Sequence, residues 1–285
     1  MPPSEEDRAG RGAHVADPGS AARCVGVVKI YWTATGEVTA LKGIEASFPR
    51  GAVTAVVGPS GSGKSSLLRI LAAQDRPTAG QVRIGDVELS GLSLSRLRRV
   101  RRRLVGYVFQ RPGDNLIPYL TVSQHLAQVA RLRGRGDGAA AEELLERLGI
   151  ADRRRHLPYQ LSGGEQQRLG FALAVTGDPF IVVADEPTAE LDSASSATLL
   201  EAALDLAHRG TSFVIATHDR AVVRLAERTL YLRHGALEAE AGTERILSVI
   251  DEAGRIQLPP DALRLFPDRR AVIDLLDSEV RIVQP

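Results

Sequence analysis

Nine residues constrain this chain more than any other stretch. Residues 58–66 read G-P-S-G-S-G-K-S-S: Gly58, Pro59, Ser60, Gly61, Ser62, Gly63, Lys64, Ser65 and Ser66. The apolar, β-branched run 52–57 precedes them and reads as a buried strand, and residues 67–73 read as the body of a helix. Strand, glycine loop and helix, in that order, are the context that makes G-x-x-x-x-G-K-[ST] a phosphate site. Glycine permits backbone angles that let successive N–H groups point inward around a phosphate. The helix starting near Lys64 adds the positive end of its dipole. Lys64 is expected to reach the outer phosphates, and the Ser65 hydroxyl to ligate Mg²⁺. The alternative is a glycine turn beside a chance lysine. Composition weighs against it, because nearly all cations here are Arg and the only lysines are Lys29, Lys42 and Lys64. The loop predicts binding of a nucleoside triphosphate and leaves its purpose open.

A chain of 285 residues with a 44% hydrophobic fraction can bury a large core as one sizeable domain with an appendage. The net charge of +1 supplies no global attraction to nucleic acid or anionic lipid. The 4% aromatic fraction argues against a base-stacking surface. Cys24 is the single cysteine and cannot form an intrachain disulfide, which fits a reducing compartment. Residues 1–23 are rich in Pro, Gly, Ala and charge and lack a signal peptide's apolar core, so a disordered leader without export is expected. No apolar run is long enough to span a bilayer, so a membrane role requires a partner.

Further along, residues 24–48 alternate as strands of an antiparallel sheet with a turn near Gly36. Tyr31 and Trp32 close the first strand, with core or edge packing as the plain expectation. Residues 81–84 and 87–89 read as a short strand pair. The run 96–103 is almost all Arg and Leu. It reads either as a solvated helix with Leu94, Leu97 and Leu104 turned inward, or as a surface against acidic lipid or a partner. A strand over 105–109 ends at Gln110. Residues 111–177 read as a helical subdomain inserted between strands, with a glycine-rich hinge at 134–138. Within it, residues 161–168 read L-S-G-G-E-Q-Q-R. This is a second helix N-terminus with free N–H groups, compatible with a capping box between Ser162 and Glu165. The apolar run 180–183 ends at Asp185 and Glu186, as buried parallel strands do where ligands gather. The strand 212–216 ends at Thr217, His218 and Asp219, which makes His218 a candidate for the same cleft.

With these pieces in place, the chain resembles the ATP-binding cassette ATPases, the nucleotide-binding subunits of ABC transporters. The resemblance covers about residues 25–241, and the motifs arrive in the family's order. It implies a P-loop α/β fold with a mixed-sheet core, an antiparallel β subdomain and an inserted helical subdomain, here with a small C-terminal α+β appendix. It further implies that Tyr31 stacks on adenine and that residues 58–65 are the Walker A loop. Gln110 matches the Q-loop glutamine. Leu161, Ser162, Gly163, Gly164, Glu165 and Gln166 match the signature motif. Asp185 and Glu186 match the Walker B carboxylates, Asp192 the D-loop aspartate and His218 the switch histidine. The segments V-x-A-L-K-G-I at 38–44, G-Y-V-F-Q at 106–110 and N-L-I-P-x-L-T-V at 115–122 are similar to the lipoprotein-release and macrolide-efflux group, whose ATPases pair with permeases of the FtsX type. Gln124 and His125 depart from a frequent Glu-Asn pair, in a loop that faces the permease in that family.

The resemblance implies ATP and Mg²⁺ as cofactors, with Ser65, Gln110 and Asp185 on the metal. Glu186 is implied as general base, with Lys64, Gln110 and His218 completing the catalytic set. It implies a homodimer in which the signature motif of one copy closes over the nucleotide of the other, a permease partner and a peripheral place on the cytoplasmic face of the membrane. A regulatory ATPase that signals through a membrane partner without transport would use the same residues. Domain boundaries are expected at 24–242 for the cassette and 243–285 for a dimerisation or regulatory appendix. From Asp251 onward seven acids face five arginines, so no nucleic-acid partner is expected.

Overall fold

The computed structural model describes residues 19–34, 36–134, 138–242, 246–248, 264–266, 270–276 and 279–283. Most of the leader expected over 1–23, and much of 243–285, lies outside these residues. The central element is a seven-stranded sheet. Its parallel part is built from β3 (Val53–Val57), β6 (Val105–Val108), β7 (Ile181–Asp185), β8 (Ser212–Ala216) and β9 (Arg228–Arg233). In space these run β9-β3-β8-β7-β6, each parallel to its neighbour. Antiparallel strands β10 (Ala236–Gly242) and β11 (Ile246–Ser248) extend the β9 side. A second, antiparallel sheet orders β2 (Gly36–Pro49), β1 (Ser20–Thr33), β4 (Ala79–Ile84) and β5 (Val87–Glu88). Two strands, β12 (Val272–Leu276) and β13 (Glu279–Val283), form a separate hairpin.

Helices cover both faces of the large sheet, which explains why its strands are apolar on both sides. Along β7, Ile181 and Val183 enter one core, while Val182 and Ala184 enter the other. Along β8, Val214 and Ala216 join the first core, and Phe213 and Ile215 the second. The first core lies between the two sheets around α1 (Lys64–Leu71), whose Leu67, Leu68, Ile70 and Leu71 are all buried. The second packs α5 (Gly163–Val175) and α6 (Ser193–His208) on the opposite face, where Phe171 and Phe213 stack with centroids 6.2 Å apart. Such an aromatic pair adds about 0.5–1.5 kcal/mol beyond the area it buries.

Between β6 and β7 run α3 (Val122–Arg133), α4 (Gly138–Arg147) and α5. Thr121 caps α3 in a capping box with Gln124, and Gly134 ends it in the left-handed conformation. Several expectations shift. β1 starts at Ser20, inside the stretch read as leader, because Ser20 pairs with β2 and Ala22 and Arg23 pair with both β2 and β4. β11 lies beyond the expected boundary at 242 yet joins the large sheet as its edge. In α2 (Leu94–Leu104), Leu97 and Val100 turn inward, but Leu94 is 58% exposed because it begins the helix ahead of the buried stripe. Trp32 is also exposed, at the end of β1 beside the hairpin turn.

Candidate active site

A parallel sheet places the carboxyl ends of all its strands on one edge, and loops leaving that edge converge. Residues 58–63 leave β3 there. Glu186 leaves β7, residues 217–219 leave β8, and Gln110 lies two residues past β6. Four separate stretches of sequence therefore meet on one side.

The glycine loop is shaped by what packs against it. Gly58 has φ 156°, and a Cβ there would lie 2.1 Å from the Leu232 carbonyl oxygen. Gly63 has φ 103°, and a Cβ there would lie 2.5 Å from the Ala40 carbonyl oxygen. The Gly235 N–H donates to the Ser62 carbonyl at 3.0 Å, and the Lys42 N–H to Gly235 at 2.8 Å, bracing the loop against β2. Gly63 starts α1 without a side-chain cap, and the first turn holds no acid. Its N–H groups are thus left for an anion. Lys64 folds back, its Nζ donating to the carbonyls of Gly58 (2.7 Å) and Pro59 (3.0 Å). The buried Ser62 hydroxyl has no partner. A tethered ammonium, unclaimed N–H donors and an orphaned hydroxyl around one cradle fit a polyphosphate.

Ser65 Oγ donates to Asp185 Oδ2 at 3.1 Å, joining loop to strand end. Burial pushes the Asp185 carboxyl above its usual value, and the Glu186 charge adds to this. The Ser65 hydrogen bond and the charges of Lys64 and Arg69 oppose it. Among the described residues, no group of three or more His, Cys, Asp or Glu could hold a metal unaided. The available donors are the Ser65 hydroxyl, the Asp185 carboxylate and, one strand further, the Gln110 amide. Such hard oxygens suit Mg²⁺ that shares its shell with phosphate.

Glu186 has φ 48°, a left-handed angle uncommon outside glycine and costing about 1–3 kcal/mol. The strain is held in place from both ends. Its N–H donates to the Ala216 carbonyl at 2.9 Å, and its Oε1 accepts from His218 Nδ1 at 2.8 Å. The His218 backbone N–H makes a longer contact to Oε2, at 3.4 Å. The His218 side chain is otherwise 83% exposed. Gln110 is exposed and makes no hydrogen bond among the described residues.

Tyr31 belongs to a network the sequence reading missed. Its hydroxyl donates to Asp75 Oδ2 (3.2 Å), and Lys29 Nζ sits 4.8 Å from its ring centre. Lys29 also bonds Asp75 Oδ1 (2.8 Å) and the Arg76 carbonyl (2.9 Å). Burial works to raise the Asp75 carboxyl, but bonds from Lys29, the Arg76 N–H and Tyr31 hold it below its usual value. The rarity of lysine in this chain was the available signal for Lys29.

The signature residues stand apart. Among the described residues, no hydrogen bond or ion pair joins 161–166 to 58–66. Ser162 caps α5, with Oγ accepting from the Glu165 N–H (3.2 Å) and Glu165 Oε2 accepting from the Ser162 N–H (2.8 Å). That backbone bond, with Arg153 Nε at 2.8 Å, lowers the Glu165 carboxyl to about 2. Ser162 and Gly163 are exposed, and Gly164 is half-buried, at the tip of the helix. Leu161 is buried, and Gln166 bonds the carbonyls of Pro158 and Leu161. The same helix reaches two other motifs. Gln167 Nε2 donates to the Pro187 carbonyl (3.1 Å), and Arg168 donates to Ser195 (2.5 Å). The Ser195 N–H donates to Asp192, the cap of α6.

Two further residues have roles that the sequence reading did not assign. His125 is buried, with Nε2 accepting from the Ile117 N–H (2.7 Å) and Nδ1 donating to the Thr121 carbonyl (2.8 Å). With Gln124 it holds the loop entering α3, which accounts for the unusual pair. Arg133 donates to the carbonyls of Val105, Ala174 and Thr176, tying β6 to the end of α5. A cavity of about 150 Å³ lined by Leu144, Arg147, Leu206 and Arg209 lies towards the amino end of β7, away from the glycine loop.

Comparison with known proteins agrees with this geometry. A family model described as ABC transporter matches residues 41–189. The lipoprotein-releasing system ATP-binding protein LolD of Shewanella frigidimarina is 39% identical over 214 residues, covering 73% of this chain and 89% of that protein. The macrolide export ATP-binding/permease protein MacB of Marinobacter nauticus is 39% identical over 218 residues, 75% of this chain. The match spans only 34% of that longer protein. The dimeric ATP-binding cassette MJ0796, solved in a post-hydrolysis state bound to ADP and Pi, superposes with a TM-score of 0.73 at 33% identity, covering 79% of this chain and 99% of that one. A glycine cradle facing two carboxylates across a parallel sheet edge, with a capped L-S-G-G-E helix set apart, thus places this chain in the ABC transporter family, as an ABC ATPase related to LolD and MacB.

Proposed function

We propose that two copies of this chain close on ATP and Mg²⁺, hydrolyse the nucleotide and so drive an FtsX-type permease in export, efflux or lipoprotein extraction. The observation that carries the reading is the separation of two half-sites. The cradle, Ser65, Asp185, Glu186 and His218 meet on one edge, while Ser162 presents its helix tip elsewhere. A second copy turned by a twofold axis would bring the missing half.

Lys64 would exchange the carbonyls of Gly58 and Pro59 for phosphate oxygens, joined by the N–H groups of residues 60–66. Tyr31, braced by Lys29 and Asp75, would face the base, where stacking is worth about 1–3 kcal/mol. Ser65, Asp185 and Gln110 would hold Mg²⁺, which supplies neutralisation of charge on the phosphate oxygens. Glu186 Oε1 is occupied by His218, so Oε2 would accept the proton of the attacking water. His218, through Nε2, would face the terminal phosphate. Ser162 uses its oxygen as an acceptor in its own cap, which leaves the hydroxyl proton free for the partner's nucleotide. Asp192 would sit at the same seam. Phosphoryl transfer depends mainly on such positioning and charge.

The division into a cassette, expected over 24–242 and lengthened by β1 and β11 to Ser20 and Ser248, and a C-terminal appendix beyond it belongs to the same proposal. Exposed Val272, Ile273 and Val283 on the β12–β13 hairpin support a dimerisation or regulatory role for the appendix. The membrane association would be peripheral, on the cytoplasmic face. Glu186→Gln tests the reading: ATP binding and an ATP-dependent dimer persist, while turnover falls about 10²- to 10⁴-fold. Turnover at the normal rate would overturn the assignment.

A further inference from the structure

The net charge of +1 conceals one concentrated positive surface. Helix α2 contains six arginines in eleven residues and no acid. Arg96, Arg98, Arg99, Arg101, Arg102 and Arg103 are all exposed. Among the described residues none of their guanidinium groups has an ion pair, hydrogen bond or ring contact. Leu97, Val100 and Leu104 form the inward stripe at i, i+3 and i+7, packed into the first core. At 100° per residue the pairs Arg98–Arg102 and Arg99–Arg103 run as two rows down the opposite, outer face. Like charges spaced i, i+4 disfavour a helix. This helix keeps two such pairs on that outer face with no counter-charge of its own.

We propose that the outer face of α2 binds the headgroups of anionic lipid directly. Three observations favour lipid over an acidic protein. The exposed cations are strung along a helix about 16 Å long and do not converge on one point, as a single carboxylate would need. Leu94 is 58% exposed at the start of the same helix, an apolar side chain beside the cations, as interfacial helices have. The helix also lies at the molecule's margin, because it leads into β6, the outermost strand of the large sheet. Clusters of four to eight basic residues on an amphipathic helix have the density that anionic bilayers attract. The inference goes beyond the nucleotide-site reading and does not depend on it, so vesicle binding and ATP turnover can fail separately.

The test uses the full chain without nucleotide in flotation with two kinds of vesicle, phosphatidylcholine alone and phosphatidylcholine mixed with phosphatidylglycerol. The chain is expected to float with the mixed vesicles only and to be released by high salt, as screening requires. Replacing Arg98→Gln, Arg99→Gln, Arg102→Gln and Arg103→Gln together is expected to lower the partition on the order of 10³-fold, with ATP turnover in solution unchanged. The four corresponding Arg→Lys changes keep the charge and are expected to keep binding, which separates loss of charge from damage to the helix. Failure of the unaltered chain to bind the mixed vesicles overturns the proposal, even if an acidic protein is captured instead. Equal binding by the four-glutamine variant also overturns it.

Discussion

Ser162 is asked to do two things, and one substitution separates them. Its oxygen accepts the Glu165 N–H at 3.2 Å as the cap of α5, and its proton is free for the partner's nucleotide. Aspartate caps helices about as well as serine, whereas alanine costs about 1 kcal/mol. Ser162→Asp therefore leaves the folded monomer within about 0.5 kcal/mol of the original. In a closed pair, however, the new carboxylate would face a terminal phosphate. Two unit charges about 4 Å apart at an effective dielectric near 20 repel by about 4 kcal/mol. Twofold symmetry doubles this to about 8 kcal/mol per dimer, or between five and six decades in the association constant. The assay is light scattering with ATP in the Glu186→Gln background, beside urea unfolding of the same proteins. The expected result is a stable, ATP-binding monomer. An ATP-dependent dimer of undiminished affinity would refute the trans contact. A loss of more than about 2 kcal/mol in the monomer would refute the cap equivalence.

Three other outcomes follow from the same structure. Arg133→Met removes the donor to three carbonyls and is expected to cost about 3 kcal/mol in urea unfolding, because buried acceptors are left without partners; a cost under about 1 kcal/mol would mean water replaces the guanidinium. The Glu165 carboxyl is lowered from the usual 4.5 to about 2 in the fold. Its contribution is therefore complete above about pH 4.5 and is lost as pH falls towards 2. Glu165→Gln should be less stable than the original near neutral pH and converge with it in acid; parallel curves across that window would dismiss the linkage. Burial and the Glu186 charge disfavour the Asp185 anion, so Asp185→Asn is expected to raise the melting temperature of the nucleotide-free protein while abolishing Mg²⁺-dependent turnover; a lowered melting temperature would contradict the electrostatic account.

Much of the site was legible because its chemistry is local. A phosphate cradle needs glycines and a lysine at fixed spacing, and a capping box needs Ser and Glu three residues apart. Both patterns survive as strings. Apolar runs ending in Asp185 or Thr217 likewise announce buried parallel strands and place their polar ends at one edge. What failed were assignments that depend on a neighbour. Ala22 belongs to a strand because β2 and β4 lie on either side of it, and nothing in a Pro- and Gly-rich leader signals those neighbours. Leu94 looked like its partners Leu97 and Leu104 until the helix start was placed.

The order of motifs determined the family, the parallel sheet and the identity of the cleft, since each rests on spacing within a few residues. Only the folded chain decided how distant groups combine: Lys29 under Tyr31 through Asp75, Gln167 on the carbonyl of Pro187, and Glu186 strained at φ 48° between Ala216 and His218. Those contacts join residues tens of positions apart. Their partners are selected by strand order and by the unmet hydrogen-bonding needs of buried groups, and neither is written along the backbone.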